Sequence, residues 1–192
     1  MVLKNNPVSS SVNKSTTKDF KRCSINSFNI MYANVDSLSN KISEVETYSK
    51  LYKADFILLT ETMSKHPSSK FDNIFNLNGY NCIENNSGRG VCIFYRNTFT
   101  VNIHDFINKM FEPSLFISIK TKKNPINIGL IYRSPSSDEN ENNKLNNQII
   151  LATKKLKNLI IFVDFNHPSI DWECNYTKKV KITVILSFFL KC

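Results

Sequence analysis

Apolar residues fall into short, uninterrupted runs along the chain, and one helical pattern lies between the first two runs. The runs at residues 28–33 and 56–59 predict strands, and the second is apolar enough to be buried on both faces. Between them, apolar residues recur at spacings of three and four from Leu38 to Leu51, which predicts an amphipathic helix. Ser37 is the predicted N-terminal cap of that helix.

Turn residues separate further apolar segments in the second part of the chain. Gly79-Tyr80 and Gly88-Arg89-Gly90 introduce turns, and residues 91–95, 115–120 and 126–132 predict a series of antiparallel strands. Residues 141–157 predict a helix that precedes another buried strand at 159–163. Helices that cover apolar sheets predict a layered α/β (α+β) domain.

Chain length and composition indicate one folded domain with flanking segments. The 192 residues are 41% hydrophobic, which supplies a sizeable core for one domain. Residues 1–24, rich in Ser, Asn and Lys, predict a disordered lead-in. The domain is predicted at residues 25–173, and residues 174–192 form a divergent apolar tail that either pairs as a strand or lies exposed.

Charge and cysteine content narrow the class of partner. The formal net charge is +9 and the pI is about 9.3, which favours a polyanion such as DNA, although ordinary solubilising charge is an alternative interpretation. Five widely spaced cysteines without a C-x-x-C pair favour reduced thiols over a zinc site. No signal peptide, membrane span or obligate protein partner is indicated, so a nuclear or cytoplasmic location is expected.

Small polar clusters follow four of the predicted strands. They are Asn34 with Asp36, Glu61, Tyr132 with Arg133, and Asp164 with Asn166. Strand ends place side chains on one rim of a sheet, and carboxylates beside amides suit Mg²⁺, which prefers oxygen ligands. The pattern predicts a metal site for phosphate chemistry.

Each cluster also has a purely structural interpretation. Asn34 and Asp36 could be turn or capping residues, and Glu61 could be a solvated strand end. Tyr132 could be a core tyrosine, and the segment at residues 164–168 could be a polar turn. The occurrence of all four clusters, each behind a strand, favours the functional interpretation.

Five segments of the chain resemble the signature motifs of one family, in that family's order. The segments are Asn34-Val35-Asp36-Ser37-Leu38, Leu59-Thr60-Glu61-Thr62, Gly88-Arg89-Gly90-Val91, Ile131-Tyr132-Arg133-Ser134-Pro135, and Val163-Asp164-Phe165-Asn166-His167-Pro168 with Ile170-Asp171-Trp172. The family is the DNase I-like endonuclease/exonuclease/phosphatase superfamily, and its non-LTR retrotransposon branch is the most similar. The resemblance covers residues 27–172 and implies a four-layer sandwich of two mixed β-sheets flanked by helices.

The resemblance also implies a role for each residue. Glu61 would be the central Mg²⁺ ligand, with Mn²⁺ as an alternative metal, assisted by Asn34 and Asp36. Tyr132 would face the scissile phosphate of DNA, and Arg133 would help to hold the DNA backbone. Asp164 would orient or deprotonate the attacking water, and Asn166 would hold phosphate oxygens.

The sequence departs from the family pattern in two places. Val163 stands where the family has Gly, and no Ser-Asp-His motif follows Trp172. None of His66, His104 and His167 stands in a matching context. The resemblance therefore predicts that the last strands of the fold are missing and that phosphodiester hydrolysis is lost or strongly reduced. The alternatives are an inactive remnant that at most binds nucleic acid, and a phosphatase acting on small phosphoesters or lipids.

Overall fold

The structure is a computed structural model that describes residues 27–64, 75–166, 170–171 and 176–177. The predicted lead-in at residues 1–24 and the predicted tail, apart from the pair 176–177, lie outside the described residues. His66, His167, Pro168 and Trp172 also lie outside them. Within the described part of the chain, no helix is long and apolar enough to cross a membrane.

The first sheet contains four strands in the order β1-β2-β4-β3. The strands are β1 Ile30–Asn34, β2 Phe56–Thr60, β3 Tyr80–Asn85 and β4 Val91–Arg96. β1 runs parallel to β2, and the remaining pairs are antiparallel. A short 3₁₀ helix, Leu38–Asn40, and helix α1, Ile42–Leu51, connect the two parallel strands.

The second sheet also contains four strands, in the order β5-β6-β7-β8. The strands are β5 Val101–Ile103, β6 Ser114–Ile119, β7 Ile126–Tyr132 and β8 Leu159–Asp164. Helix α2, Asp105–Asn108, precedes β6, and helix α3, Glu139–Lys155, connects β7 to the parallel strand β8. A small antiparallel pair follows, β9 Ile170–Asp171 with β10 Tyr176–Thr177.

Three apolar clusters arrange these elements in four layers. Alternate residues of β2 and β4, among them Phe56 and Ile93, pack against residues of β6 and β7 such as Ile117 and Leu130. The outer face of the first sheet is covered by α1 through Val45. The outer face of the second sheet is covered by α2 and α3. The predicted four-layer sandwich of two mixed sheets and flanking helices is therefore confirmed.

Local details differ from the sequence-based prediction at the first helix. The Ser37 side chain makes no capping hydrogen bond, because the chain first forms the 3₁₀ turn and α1 begins only after Lys41. Tyr48 and Leu51, predicted on the apolar stripe, are 42% and 65% exposed. The true inward positions of α1 are Val45 and the small residue Ser49. The short helix keeps only part of its predicted stripe against the sheet.

Two further details concern the second sheet. β8 is predicted to be buried, but it lies at the edge of the sheet that the described strands form, and its residues are only partly buried. α3 begins at Glu139, two residues earlier than predicted, because Asp138 and Glu141 form a reciprocal capping box. Both elements nevertheless have the predicted type.

Parallel pairing in each sheet places the polar strand ends side by side. Asn34 at the end of β1 is in register with Thr60 at the end of β2. Tyr132 at the end of β7 is in register with Asp164 at the end of β8. Because the two sheets pack face to face, these two pairs of strand ends meet at one rim of the sandwich.

Candidate active site

The segment after β1 continues to pair with the segment after β2. Ser37 N donates to Glu61 O at 2.8 Å, and Leu38 N donates to Thr62 O at 2.9 Å. Asp36, Ser37 and Glu61 all have positive φ angles, of 40°, 89° and 54°. Non-glycine residues with positive φ persist where surrounding bonds hold them, and they concentrate at functional sites. The paired turns fix the backbones of Asp36 and Glu61 side by side.

The side-chain amide of Asn34 connects the two sheets. Its Nδ2 donates to Glu61 Oε1 and to Asp164 Oδ2, each at 2.8 Å. Its Oδ1 accepts from the backbone N–H of Asp36 at 3.2 Å. Since one NH₂ group has two donors, the amide satisfies a carboxylate from each sheet at once. Asn34, Asp36, Glu61 and Asp164 are thus brought together.

Arg89, to which the sequence analysis assigned no role, belongs to the same group. Its Nη2 donates to Glu61 Oε2 at 2.7 Å and also bonds Asp36 Oδ1. Its Nε reaches Glu61 Oε2 at 3.1 Å, and its Nη1 donates to Met63 O at 2.7 Å. The family-like segment at residues 88–91 was the sequence feature that could have indicated a role for Arg89 at the site.

Two glycines place Arg89 beside the end of β2. Gly88 and Gly90 have φ angles of 55° and 71°, a conformation that glycine adopts without steric cost. A Cβ at Gly90 would lie 2.5 Å from Thr62 Oγ1 and 2.6 Å from Met63 Cγ. Met63 N also donates to Arg89 O at 2.9 Å. The absence of a side chain at Gly90 therefore permits this close approach.

The ionisation of Glu61 and Tyr132 follows from this arrangement. Burial opposes the charge on Glu61, but hydrogen bonds from Asn34 and Arg89 outweigh it and lower the pKa of the carboxyl. Burial, followed by the charges of Glu61 and Asp164, raises the pKa of Tyr132 to about 12. At neutral pH Glu61 is ionised, and the Tyr132 hydroxyl, whose pKa is raised, is neutral and can donate a hydrogen bond.

Arg133 is buried next to the site, and its guanidinium donates hydrogen bonds to neighbouring protein groups. It is 3% exposed. Its Nε bonds Asn142 Oδ1 at 2.7 Å, and its Nη1 reaches the carbonyl of Asn166 at 3.2 Å. Further bonds go to the carbonyls of Ser134, Phe165 and Ser137. The role of Arg133 at the DNA backbone stays a prediction, whereas its support of the turn after β8 is direct.

Asn166 has an amide group that faces no hydrogen-bond acceptor among the described residues. Its Nδ2 is buried and has no partner there. Its backbone has a φ of 38°, which asparagine tolerates better than most residues. A buried donor without an acceptor is costly in a native protein and calls for an explanation. A bound anion such as phosphate would provide the acceptor.

Of the three histidines, only His104 is described, and it lies away from these residues. Its Nε2 contacts Ser118 Oγ at 2.7 Å, in a group with Asn127 near the start of β7. Tyr132 is at the opposite end of that strand. His104 therefore contributes to the packing of the second sheet and lies outside the site.

The chemistry of the donor set suits a hard divalent cation. The site contains three carboxylates, those of Asp36, Glu61 and Asp164, and one guanidinium, that of Arg89, which bonds the first two. An excess of two formal negative charges remains. Carboxylate and amide oxygens are the donors that Mg²⁺ takes. In the ranges described, no group of three or more His, Cys, Asp or Glu side chains is arranged to hold a metal ion. The residues fit a cation held by few protein ligands, as Mg²⁺ usually is.

Comparisons with known proteins identify the fold. No family model and no curated protein matches the chain. Among solved structures, it resembles the endonuclease domain of TRAS1, a telomere-specific non-LTR retrotransposon, at 18% identity over 72% of this chain, with a TM-score of 0.56. It also resembles the 3′ phosphatase NExo from Neisseria bound to product DNA hairpin, at 17% identity over 76% of this chain, with a TM-score of 0.51.

The chain spans 60% of the length of each of these two structures. Together with the four-layer arrangement, the likeness shows that the chain has the DNase I-like fold. The fold predicted from the sequence motifs is confirmed.

Proposed function

We propose that this chain is a metal-dependent phosphodiesterase that cleaves DNA, the endonuclease of a non-LTR retrotransposon that nicks a target for insertion. The observation that carries the proposal is the amide of Asn34, which holds Glu61 and Asp164 together across the two sheets. The named likenesses, a retrotransposon endonuclease and a phosphatase bound to product DNA, support the same chemistry.

Glu61 and Asp36 would hold Mg²⁺ or Mn²⁺, with the amide oxygen of Asn34 nearby. The lowered pKa of Glu61 keeps this ligand ionised at neutral pH. When bound, the cation would neutralise charge that develops on the phosphate in the transition state. The protein would contribute fixed oxygens at a rim that is open to a large substrate.

Asp164 would orient the attacking water and accept its proton. Its Oδ2 is held by Asn34. With that oxygen fixed, the carboxylate has a defined orientation towards the site, as a general base requires. Tyr132, neutral at physiological pH, would donate a hydrogen bond from its hydroxyl group to a phosphate oxygen.

Asn166 would donate its buried amide to the phosphate, which explains the absence of an acceptor among the described residues. Arg133 would act through Asn166, because it bonds the carbonyls of Phe165 and Asn166. We therefore propose that Arg133 positions Asn166, instead of contacting the DNA backbone as the sequence predicted.

DNA is the substrate that the charge of the chain favours. The formal net charge of +9 is a property of the whole chain, and it favours a polyanionic partner because basic surfaces attract a nucleic-acid backbone. A phosphatase for small phosphoesters would need no such surface. The two substrate classes are separated by assaying a phosphomonoester beside DNA.

The test is nicking of supercoiled plasmid by the purified 192-residue chain with Mg²⁺, beside Glu61→Gln and Asp164→Asn. Both substitutions keep side-chain size and remove the charge, and we expect each to lower nicking by about 10²-fold or more. Glu46→Gln is the matched control, because the Glu46 side chain lies on α1, is 43% exposed and pairs with Lys50. EDTA should abolish nicking in every sample.

The resemblance implies a Ser-Asp-His segment that this sequence does not contain, and nicking is therefore expected to be slow. Single-turnover conditions, with protein in excess over plasmid, detect slow nicking. Equal nicking by the wild-type chain and both active-site variants would indicate a contaminating nuclease and overturn the proposal. Folded protein that binds DNA without nicking it would favour the alternative of a nucleic-acid-binding protein without catalysis.

A further inference from the structure

The guanidinium of Arg89 lies on the carboxylates to which the proposed function assigns the metal. Glu61 Oε2 accepts from both Nη2 and Nε, at 2.7 and 3.1 Å, and Asp36 Oδ1 accepts from Nη2. One positive group thus bridges two carboxylates that would otherwise repel each other. A divalent cation bound by Glu61 and Asp36 would use the same oxygen atoms.

Arg89 is held in place by its backbone and by one anchoring bond. The glycines on either side hold the turn against the end of β2, and Nη1 donates to Met63 O at 2.7 Å. The side chain of Arg89 is 16% exposed, while that of Asp36 is 66% exposed. The guanidinium can therefore release the solvent-facing Asp36 and turn from Glu61 while it keeps the bond to Met63.

We propose that Arg89 is a built-in counter-cation that occupies Glu61 and Asp36 when no divalent cation is bound, and that metal binding displaces it. This inference rests on the proposed function, because it assigns the metal to the same carboxylates. Two positive groups on one pair of carboxylates repel each other at short range. Arg89 therefore weakens metal affinity and keeps the acidic rim folded in the absence of metal.

The proposal predicts opposite effects of one substitution on folding and on metal binding. Arg89→Met removes the charge and keeps an unbranched side chain. Without metal, the variant should be less stable than the wild type, because Glu61 and Asp36 lose their shared partner. With metal, the competing cation is absent, so affinity should rise.

The test is the Kd for Mn²⁺, measured by electron paramagnetic resonance or calorimetry on the whole chain without DNA. We expect Arg89→Met to bind Mn²⁺ about tenfold more tightly than the wild type, within the usual range of coupling between two ligands. Saturating Mn²⁺ should also raise the Tm of Arg89→Met more than that of the wild type. Glu61→Gln should abolish binding in both backgrounds.

Arg96→Met is the matched control. Arg96 pairs with Asp55 at 3.5 Å and bonds Ala54 O at 3.0 Å. The substitution therefore removes an ion pair and a hydrogen bond to a carbonyl, as Arg89→Met does, but outside the proposed metal site. The Kd of the Arg96→Met variant for Mn²⁺ should equal that of the wild type. If Arg89→Met does not fold, Arg89→Lys replaces it, because one ammonium holds two carboxylates less well than a guanidinium fork. Affinity should then rise by a smaller factor.

The outcomes separate this inference from the proposed function. Unchanged or weaker Mn²⁺ binding in folded Arg89 variants, with a wild type that binds metal and nicks DNA, overturns the role of Arg89 alone. A wild type and variants that all fail to bind Mn²⁺ overturn the metal site, and the role of Arg89 with it.

Discussion

Asn34 and Asp164 are 130 residues apart in the sequence, and a hydrogen bond of 2.8 Å joins their side chains. Among the described strands, Asn34 ends the edge strand of one sheet and Asp164 ends the edge strand of the other. The same amide of Asn34 also bonds Glu61 at 2.8 Å. The relative position of the two carboxylates therefore depends on one neutral side chain.

Replacement of Asn34 by alanine should separate these carboxylates without unfolding the protein. We expect nicking to fall by about 10²-fold, because positioned groups in such a site act as a unit. The stability loss should be only about 1 kcal/mol, since water can replace an amide at an exposed position. Plasmid nicking and urea denaturation measure the two effects. Asn102→Ala, at an exposed position of β5, is the control, and an equal loss of nicking in both variants would contradict this role.

The close approach at Gly90 can be tested against a second glycine with a similar backbone. Gly90 and Gly79 have φ angles of 71° and 83°, but a Cβ at Gly79 would meet nothing within 4 Å. Gly79→Ala should cost about 1 kcal/mol for the left-handed backbone alone. Gly90→Ala should cost about 1–3 kcal/mol more, because the Cβ collides with Thr62 and Met63. Equal losses on urea denaturation would show that the contact is not tight.

The lowered pKa of Glu61 makes part of the stability depend on pH. A carboxyl whose pKa is lower in the folded state stabilises the protein above its unfolded pKa, about 4.3. That contribution is lost as the pH falls through the lower folded value. The wild type should therefore be more stable than Glu61→Gln at pH 7, and the difference should shrink towards pH 3. A constant difference in urea denaturation across this range would contradict the prediction.

Arg133 should contribute more to stability than an exposed arginine. Lysine at this position keeps the charge but cannot reach five acceptors, so Arg133→Lys leaves partly buried acceptors without a donor. We expect a loss of about 3 kcal/mol in urea denaturation. Arg96→Lys is the control and should lose less than about 1 kcal/mol, as Arg96 is partly exposed. Similar losses in both variants would argue against a special role for Arg133.

The strands and long helices could be predicted from the chain because their pattern is local. A run such as residues 56–59 is apolar at every position, and it forms a strand in which all five residues are buried. β3, β5 and α2 were not predicted. β3 has no buried residue and mixes polar with apolar positions, and β5 and α2, with three and four residues, contain too little periodicity to be recognised. Ser37 was wrongly predicted to cap α1, because a 3₁₀ turn lies between Ser37 and the start of α1. That turn is held by backbone bonds to the segment after β2, which the local sequence pattern does not contain.

Polar residues at the ends of apolar strands were enough to nominate Asn34, Glu61, Tyr132 and Asp164, because the ends of neighbouring parallel strands lie on one rim of a sheet. The sequence also contained Arg89 within a recognisable segment but did not indicate its partners. Its bonds to Asp36 and Glu61 span 53 and 28 residues. Such contacts arise only when the turn before β4 is fixed against the end of β2, and the bond between Asn34 and Asp164 arises only when the two sheets pack. Local pattern determines which residues form strands and which end them, whereas the tertiary structure alone decides which charges meet, because hydrogen bonds between distant residues depend on how whole sheets are placed.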